Sequence, residues 1–280
     1  MKRVFLPHNL EELWRIIAGE PKADIYAGGT DLLVKLRQNL INTPSLICLE
    51  RIEELKGVHE QGDEVMIGAC STHTSLLENP IIQRNFPVLT KALNVLASPL
   101  IRNMGTIGGN ICTASPAADT LPPLYVLKAE VEIRSRSASR QMALKEFILG
   151  PGITCLKAGE IVSGIWVKKV PGFNLHHFEK VGQRKALAIA IVSLATLFKI
   201  SGEEMVEDVR LAWGSVAPTV VTSNEIEAML VGHRLSRQVL KKAAPIARAI
   251  VKPIDDIRAS ADYRRQVAEN LLIRLGSVQK

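Results

Sequence analysis

The sequence predicts an α+β protein in two domains, and three observations carry that reading. A short apolar strand, Asp24 to Ala27, runs into Gly28-Gly29 and then into an amphipathic segment in which Leu32, Leu33 and Leu36 fall on one side, the pattern of strand, glycine turn and helix. Strand and helix patterns then alternate as far as Val167. Pro171-Gly172-Phe173-Asn174 breaks the alternation, and the strand-like runs beyond it are succeeded by helices, so that sheet and helix are segregated rather than interleaved.

In chain order, Val4 to Leu6 reads as a strand and Asn9 as the N-cap of a helix over Leu10 to Ile17, since a short polar side chain can accept from the first free amides of a helix. With the strand Asp24 to Ala27 these make an opening βαβ unit, and Ser45 to Leu49 supplies the next strand. Val65 to Ala69, Ile81 to Leu96, Leu124 to Ile133 and Glu160 to Val167 continue the alternation. The basic cluster Arg134 to Arg140 lies between two apolar runs and reads as a solvated hairpin turn. Beyond Asn174, strand-like runs cover Phe178 to Val181, Ala188 to Ile200 and Val206 to Gly214, and helices cover Ser223 to Leu230, Ser236 to Ile250 and Ser260 to Leu275.

Composition narrows the function classes. With 47% hydrophobic and 22% charged residues in 280, the chain can bury two cores. A net charge of +7 favours anionic ligands or acidic partner surfaces, but with only 4% aromatic residues base-stacking platforms are scarce, which speaks against nucleic acid. Met1 to Pro7 carry charge yet meet Pro7 and Asn9 before any long apolar segment, and the longest apolar run, Ala186 to Phe198, is too short to cross a bilayer. A cytoplasmic protein without membrane insertion is expected. Cys48, Cys70, Cys112 and Cys155 are far apart, with no C-x-x-C and no histidine at ligand spacing, so no metal site is assigned.

The most informative segment is Ile101 to Thr120. Gly105, Gly108 and Gly109 leave no Cβ in the way of amides converging on an anionic oxygen, and Thr106, Asn110, Thr113 and Ser115 add short polar side chains. Asp119 stands where a ribose or ribityl chain would continue from such a phosphate. Taken alone, the segment also admits a plainer reading, a Gly-Asn turn followed by a Ser-Pro helix start. The loop Tyr26-Ala27-Gly28-Gly29-Thr30-Asp31 tilts the balance, because a second glycine turn can clamp one pyrophosphate from the other side. Neither loop carries G-x-G-x-x-G or G-x-x-x-x-G-K-[ST], which disfavours a Rossmann site and a P-loop. His73, His176 and His177 have no nucleophile and orienting residue in register and receive no catalytic role.

Ala27-Gly28-Gly29-Thr30-Asp31 and Thr106-Ile107-Gly108-Gly109-Asn110, extended by Ala114 to Asp119, closely resemble the FAD-binding medium subunit of the molybdenum hydroxylases of the carbon monoxide dehydrogenase and xanthine dehydrogenase type. The resemblance continues through Phe178 to Arg184 and ends on Ile257 to Arg264. It implies a two-subdomain FAD-binding domain of the vanillyl-alcohol-oxidase-like type over residues 1–174, divided near residue 54, and an α/β C-terminal domain with a three-stranded antiparallel sheet over 175–280. It also implies that Ile25, Tyr26, Ala27, Gly28, Gly29, Thr30, Asp31 and Leu32, with Thr106, Ile107, Gly108, Gly109 and Asn110, bind the FAD pyrophosphate through backbone N–H groups. Asp119 would accept from sugar or ribityl hydroxyls, Leu96 would touch the adenine and Val162 the flavin edge, and Lys180 would place a positive charge near the ring.

The implied function is electron transfer. FAD would receive electrons from 2Fe-2S clusters on a small subunit, within a complex whose large subunit carries molybdopterin, and deliver them to NAD⁺ or another acceptor. Two other classes stay open: a stand-alone flavin oxidoreductase of the same wider fold, for which no substrate cap or flavin tether is identifiable, and a non-catalytic nucleotide-binding assembly module. The Arg258 to Arg264 segment reads as structure or interface.

Overall fold

Local signals account for most element boundaries in the computed structural model, which describes residues 3–278; Met1 and Lys2, part of the stretch read above for a secretion signal, lie outside it, as do Gln279 and Lys280. The first elements are β1 (Arg3–Phe5), α1 (Leu10–Gly19), β2 (Asp24–Tyr26), α2 (Leu32–Arg37), β3 (Ser45–Cys48), β4 (Val58–Gln61) and β5 (Glu64–Gly68). Short helices follow: α3 (His73–Glu78), α4 (Pro80–Asn85), α5 (Pro87–Val95), α6 (Pro99–Met104), α7 (Ile107–Thr113) and α8 (Leu121–Val126). Then come β6 (Glu130–Arg134), β7 (Ser139–Ala143), α9 (Leu144–Phe147), β8 (Ile148–Gly150), β9 (Ile153–Thr154) and β10 (Ile161–Lys168). The chain closes with β11 (Leu175–Val181), β12 (Val192–Ile200), β13 (Val206–Gly214), α10 (Asn224–Leu230), α11 (Arg237–Ile250) and α12 (Ala261–Arg274).

Helix starts fall where the capping residues predict. Asn9 accepts from the Glu12 N–H at 2.8 Å, and Ser223, Ser236 and Ser260 cap α10, α11 and α12 in the same manner. Differences from the sequence expectation have local causes. The helical run Ile81 to Leu96 is split at Phe86-Pro87, since the residue before a proline is pushed out of the helical region and proline then opens a new helix. Leu124 to Ile133 divides into the end of α8 and β6 at Lys128, whose φ is 54°. The strand expected from Ala188 begins only at Val192, four residues later, after a bend in which Leu187 takes a left-handed φ of 55°.

Two compact units emerge: Met1–Ile81 with Ser98–Ala114 and Ala129–Lys168, and Ile82–Ala97 with Ser115–Lys128 and Lys169–Lys280. The first holds a parallel sheet in the order β1-β3-β2 and an antiparallel sheet in the order β4-β5-β10-β6-β7. Parallel neighbours require crossovers, which α1 and α2 supply, and α1 turns Leu13 into a core with Ile47, Ile52 and Leu55. The hairpin turn between β6 and β7 lies inside the basic cluster, whose Arg134, Ser139 and Arg140 already pair in the strands.

The second unit is built on the antiparallel sheet β11-β12-β13. Trp213, Phe198, Leu240 and Leu272 form its sealed centre, with α11 and α12 contributing their apolar sides. Lys180 of β11, Ser193 of β12 and Gly214 of β13 lie opposite one another. Helix α8 packs against β12 and β13, and Gly214 admits it: a Cβ there would come within 2.8 Å of Pro122 Cγ. Among the described residues no helix is long and apolar enough to cross a membrane.

Candidate functional site

In the first unit the two glycine segments are fastened together. Strand β2 delivers Ala27 and Gly28 against the chain at Met104-Gly105, where a Cβ on Gly28 would overlap the Met104 carbonyl. Gly29 has a φ of 68° and turns the chain into α2, a conformation glycine adopts without strain. The Asp31 carboxylate pairs with Lys35 at 2.7 Å and accepts from Thr113 Oγ1 at 3.3 Å, joining the start of α2 to the last residue of α7. Burial and a hydrogen bond with Cys48 push the Tyr26 phenol up to about 12, so it stays protonated.

The amides of the two segments are used differently. Leu33 N–H donates to Gly29 O at 3.1 Å, but the N–H groups of Gly28, Gly29, Thr30, Asp31 and Leu32 donate to no acceptor among the described residues. In the second segment the amides are engaged. Ile107 donates to Ser71 O, Gly108 to Ala69 O at 2.9 Å, Gly109 to Thr106 Oγ1 at 3.1 Å and Asn110 to Thr106 O. Gly108 is a packing glycine, since a Cβ there would sit 2.6 Å from Ala69 Cβ. Gly109 is exposed, and an added Cβ would meet only the Thr106 hydroxyl. The free donors therefore lie on the first loop, and the second offers an open glycine surface beside them.

Five successive amide donors without partners, with glycine at the closest approach, form a receptor for an anionic oxygen cluster. A pyrophosphate matches that donor set.

In the second unit Lys180 and Asp119 meet. Lys180 Nζ lies 2.6 Å from Asp119 Oδ2 and donates to Val95 O at 3.0 Å, next to Leu96. Both side chains are at most 8% exposed, which makes this a buried ion pair. Burial pushes the Asp119 carboxyl up to about 6 against the pull of Lys180. Its Oδ1 is buried with no hydrogen-bond partner among the described residues, an acceptor awaiting a donor. Leu96 is buried at the C-cap of α5, and Ser115 Oγ accepts from Ala117 N–H. Val162 is buried in β10 of the first unit, at an irregularity in the pairing of β10 with β6, and α7 packs on that strand.

The structure thus gathers Ile25 to Leu32 with Thr106 to Asn110 in one unit, and Asp119 with Lys180 in the other. Two participants escaped sequence reasoning. Met104 contributes main chain, which no residue-type signal marks. His73, which is 3% exposed, lies under the second loop: its N–H donates to Gly105 O and its ring edge is 3.2 Å from where a Gly105 Cβ would be. Its place in Ser71-Thr72-His73-Thr74, at the start of α3, was the available clue.

Free amides on a glycine loop that opens a helix are the arrangement by which nucleotide-binding proteins take phosphate groups. A family profile described as FAD binding domain in molybdopterin dehydrogenase matches residues 1–168, and one described as CO dehydrogenase flavoprotein C-terminal domain matches 177–277. The chain is 30% identical over 266 residues to the glyceraldehyde dehydrogenase medium chain of Sulfolobus acidocaldarius, covering 95% of this chain and 94% of that one. It is 31% identical to the carbon monoxide dehydrogenase medium chain of Hydrogenophaga pseudoflava, covering 90% and 87%. Quinoline 2-oxidoreductase from Pseudomonas putida 86 superposes with a TM-score of 0.94 at 26% identity, covering 100% of this chain and 97% of that one. The chain belongs to the FAD-binding medium subunits of molybdenum hydroxylases of the carbon monoxide and xanthine dehydrogenase type, a family of oxidoreductase flavoproteins.

Proposed function

We propose that this chain holds FAD as the electron-transfer subunit of a molybdopterin-dependent hydroxylase or dehydrogenase, with an iron–sulfur small subunit and a molybdopterin large subunit as partners. The observation that carries the reading is the run of five unpartnered amides from Gly28 to Leu32 beside the open face of Gly109. Those amides would take the pyrophosphate, Asp119 Oδ1 would accept a hydroxyl of the cofactor, and Leu96 and Val162 would supply apolar contact. When bound, FAD supplies a centre that accepts single electrons from iron–sulfur clusters and releases them in pairs to NAD⁺ or another acceptor.

Lys180 acts differently from a bare cation. Its charge is compensated by Asp119 at 2.6 Å, so the field it exerts on a nearby ring is that of an ion pair, weaker and more directional than a single positive charge. The chain's contribution is to bind and orient the cofactor and to set this local field.

The test is direct. The purified chain mixed with FAD and passed through gel filtration should retain a flavin spectrum near one equivalent, and two further subunits should copurify from the native source. Gly109→Val places a branched side chain on the open surface and disturbs only the Thr106 cap, a loss of about 1 kcal/mol in stability. It is expected to lose flavin while keeping its circular dichroism; stoichiometric flavin in the variant would remove Gly109 from the site. Rapid bleaching of the flavin by NADH in the assembled complex supports NAD⁺ as acceptor, and an unreduced flavin points to a different one.

A further inference from the structure

Arg264 is 4% exposed and lies in the first turns of α12. Its Nη1 donates to Ile191 O at 2.8 Å and to Ser215 O at 3.0 Å, and Nη2 pairs with Asp256 Oδ1 at 2.8 Å. Ile191 directly precedes β12 and Ser215 directly follows β13. A guanidinium withdrawn from water in this way is tolerated only where acceptors are already in place. Arg264 therefore fastens α12 to the two chain segments at one end of the sheet.

Ser215 is held at both of its main-chain groups. Its carbonyl accepts from Arg264, and its N–H donates to Pro116 O at 2.9 Å. It is kept at a φ of 64°, a left-handed conformation unusual for serine that persists only when the surroundings enforce it and that clusters at functional sites. The result is a buried hydroxyl, Oγ, without a hydrogen-bond partner among the described residues. Pro116 belongs to the segment that ends on Asp119, whose Oδ1 is likewise buried and unpartnered. Each such atom is costly to leave without a donor or acceptor, and the two sit on segments joined by one hydrogen bond.

We infer that Ser215 is a further FAD-binding residue, its hydroxyl completing with Asp119 Oδ1 a polar contact to the cofactor, and that Arg264 is the positioning residue that holds it there. The inference rests on the reading of the site given above. It also gives the Arg258 to Arg264 segment a role that reaches the cofactor through the backbone of Ser215.

The full chain is titrated with FAD, following flavin fluorescence, and the midpoint potential of the bound flavin is recorded. Ser215→Ala keeps the backbone bonds and is expected to weaken FAD binding on the order of tenfold, the worth of one hydrogen bond, with a melting temperature of the FAD-free chain that does not fall and a shifted potential of the bound flavin. Arg264→Lys should weaken binding to a similar degree, and adding Ser215→Ala to it should produce no further loss, because the two residues act through one contact. Wild-type affinity and potential in Ser215→Ala overturn the assignment of Ser215. Additive losses in the double variant overturn the positioning role of Arg264. A wild-type chain that takes up no FAD counts instead against the reading of the site itself.

Discussion

Gly28→Ala is expected to destabilise the first unit by about 3 kcal/mol or more, at or beyond the upper end of ordinary overpacking, and to abolish FAD retention. The added methyl would overlap the Met104 carbonyl oxygen and come within 3.0 Å of the Gly105 nitrogen. Both are backbone, so no side-chain rotation relieves the contact, and the two glycine segments must move apart. Gly105 cannot retreat freely, since its N–H donates to Ile101 O and its carbonyl accepts from His73 N–H. Urea unfolding followed by circular dichroism measures the first effect, and flavin retained after gel filtration the second. A variant that unfolds with wild type would show that the loops do not meet as described. The contrast with Gly109→Val is diagnostic, because there the fold survives and only the cofactor is lost.

Acid destabilisation through His73 is the second large effect. Burial, reinforced by the positive charge of Arg102, lowers the His73 imidazole to about 4 from an ordinary value of 6.5. Its Nδ1 is buried without a hydrogen-bond partner among the described residues. The unfolded chain binds a proton near pH 6.5 that the folded chain refuses until about pH 4. Stability from this group is complete above pH 6.5 and declines as the pH falls from 6.5 toward 4, by about 3 kcal/mol in total. His73→Leu removes the titrating group together with an unsatisfied polar atom. It should flatten the pH dependence of unfolding over that interval without lowering stability at pH 7. An unchanged slope in the variant would assign the acid sensitivity to other groups. Because the imidazole lies against Gly105, its protonation should also loosen flavin in wild type over the same interval, and this loosening should be absent in the variant.

Much of the fold was legible in one dimension. Asn9, Ser223, Ser236 and Ser260 announced helix starts because capping is a local matter of one side chain and two amides. The β6–β7 turn followed from a polar cluster between apolar runs. The breaks at Phe86-Pro87, Lys128 and Leu187 were less visible. Proline at least marks itself, but a left-handed lysine or leucine is imposed by what the chain must do on either side of it.

By itself the sequence determined the pair of glycine segments, the three-strand antiparallel run beyond Asn174 and the resemblance that identifies the cofactor, since all of these depend on residue type and order. Tertiary structure alone decided how those residues are used. It left the amides of Gly28 to Leu32 free while engaging those of Ile107 to Asn110, made Gly108 a packing residue and Gly109 an open surface, and paired Lys180 with Asp119. The reason is physical: glycine signals only that a close approach is possible, and a charged residue only that a partner is needed. Which backbone or carboxylate arrives is settled by segments dozens of residues away.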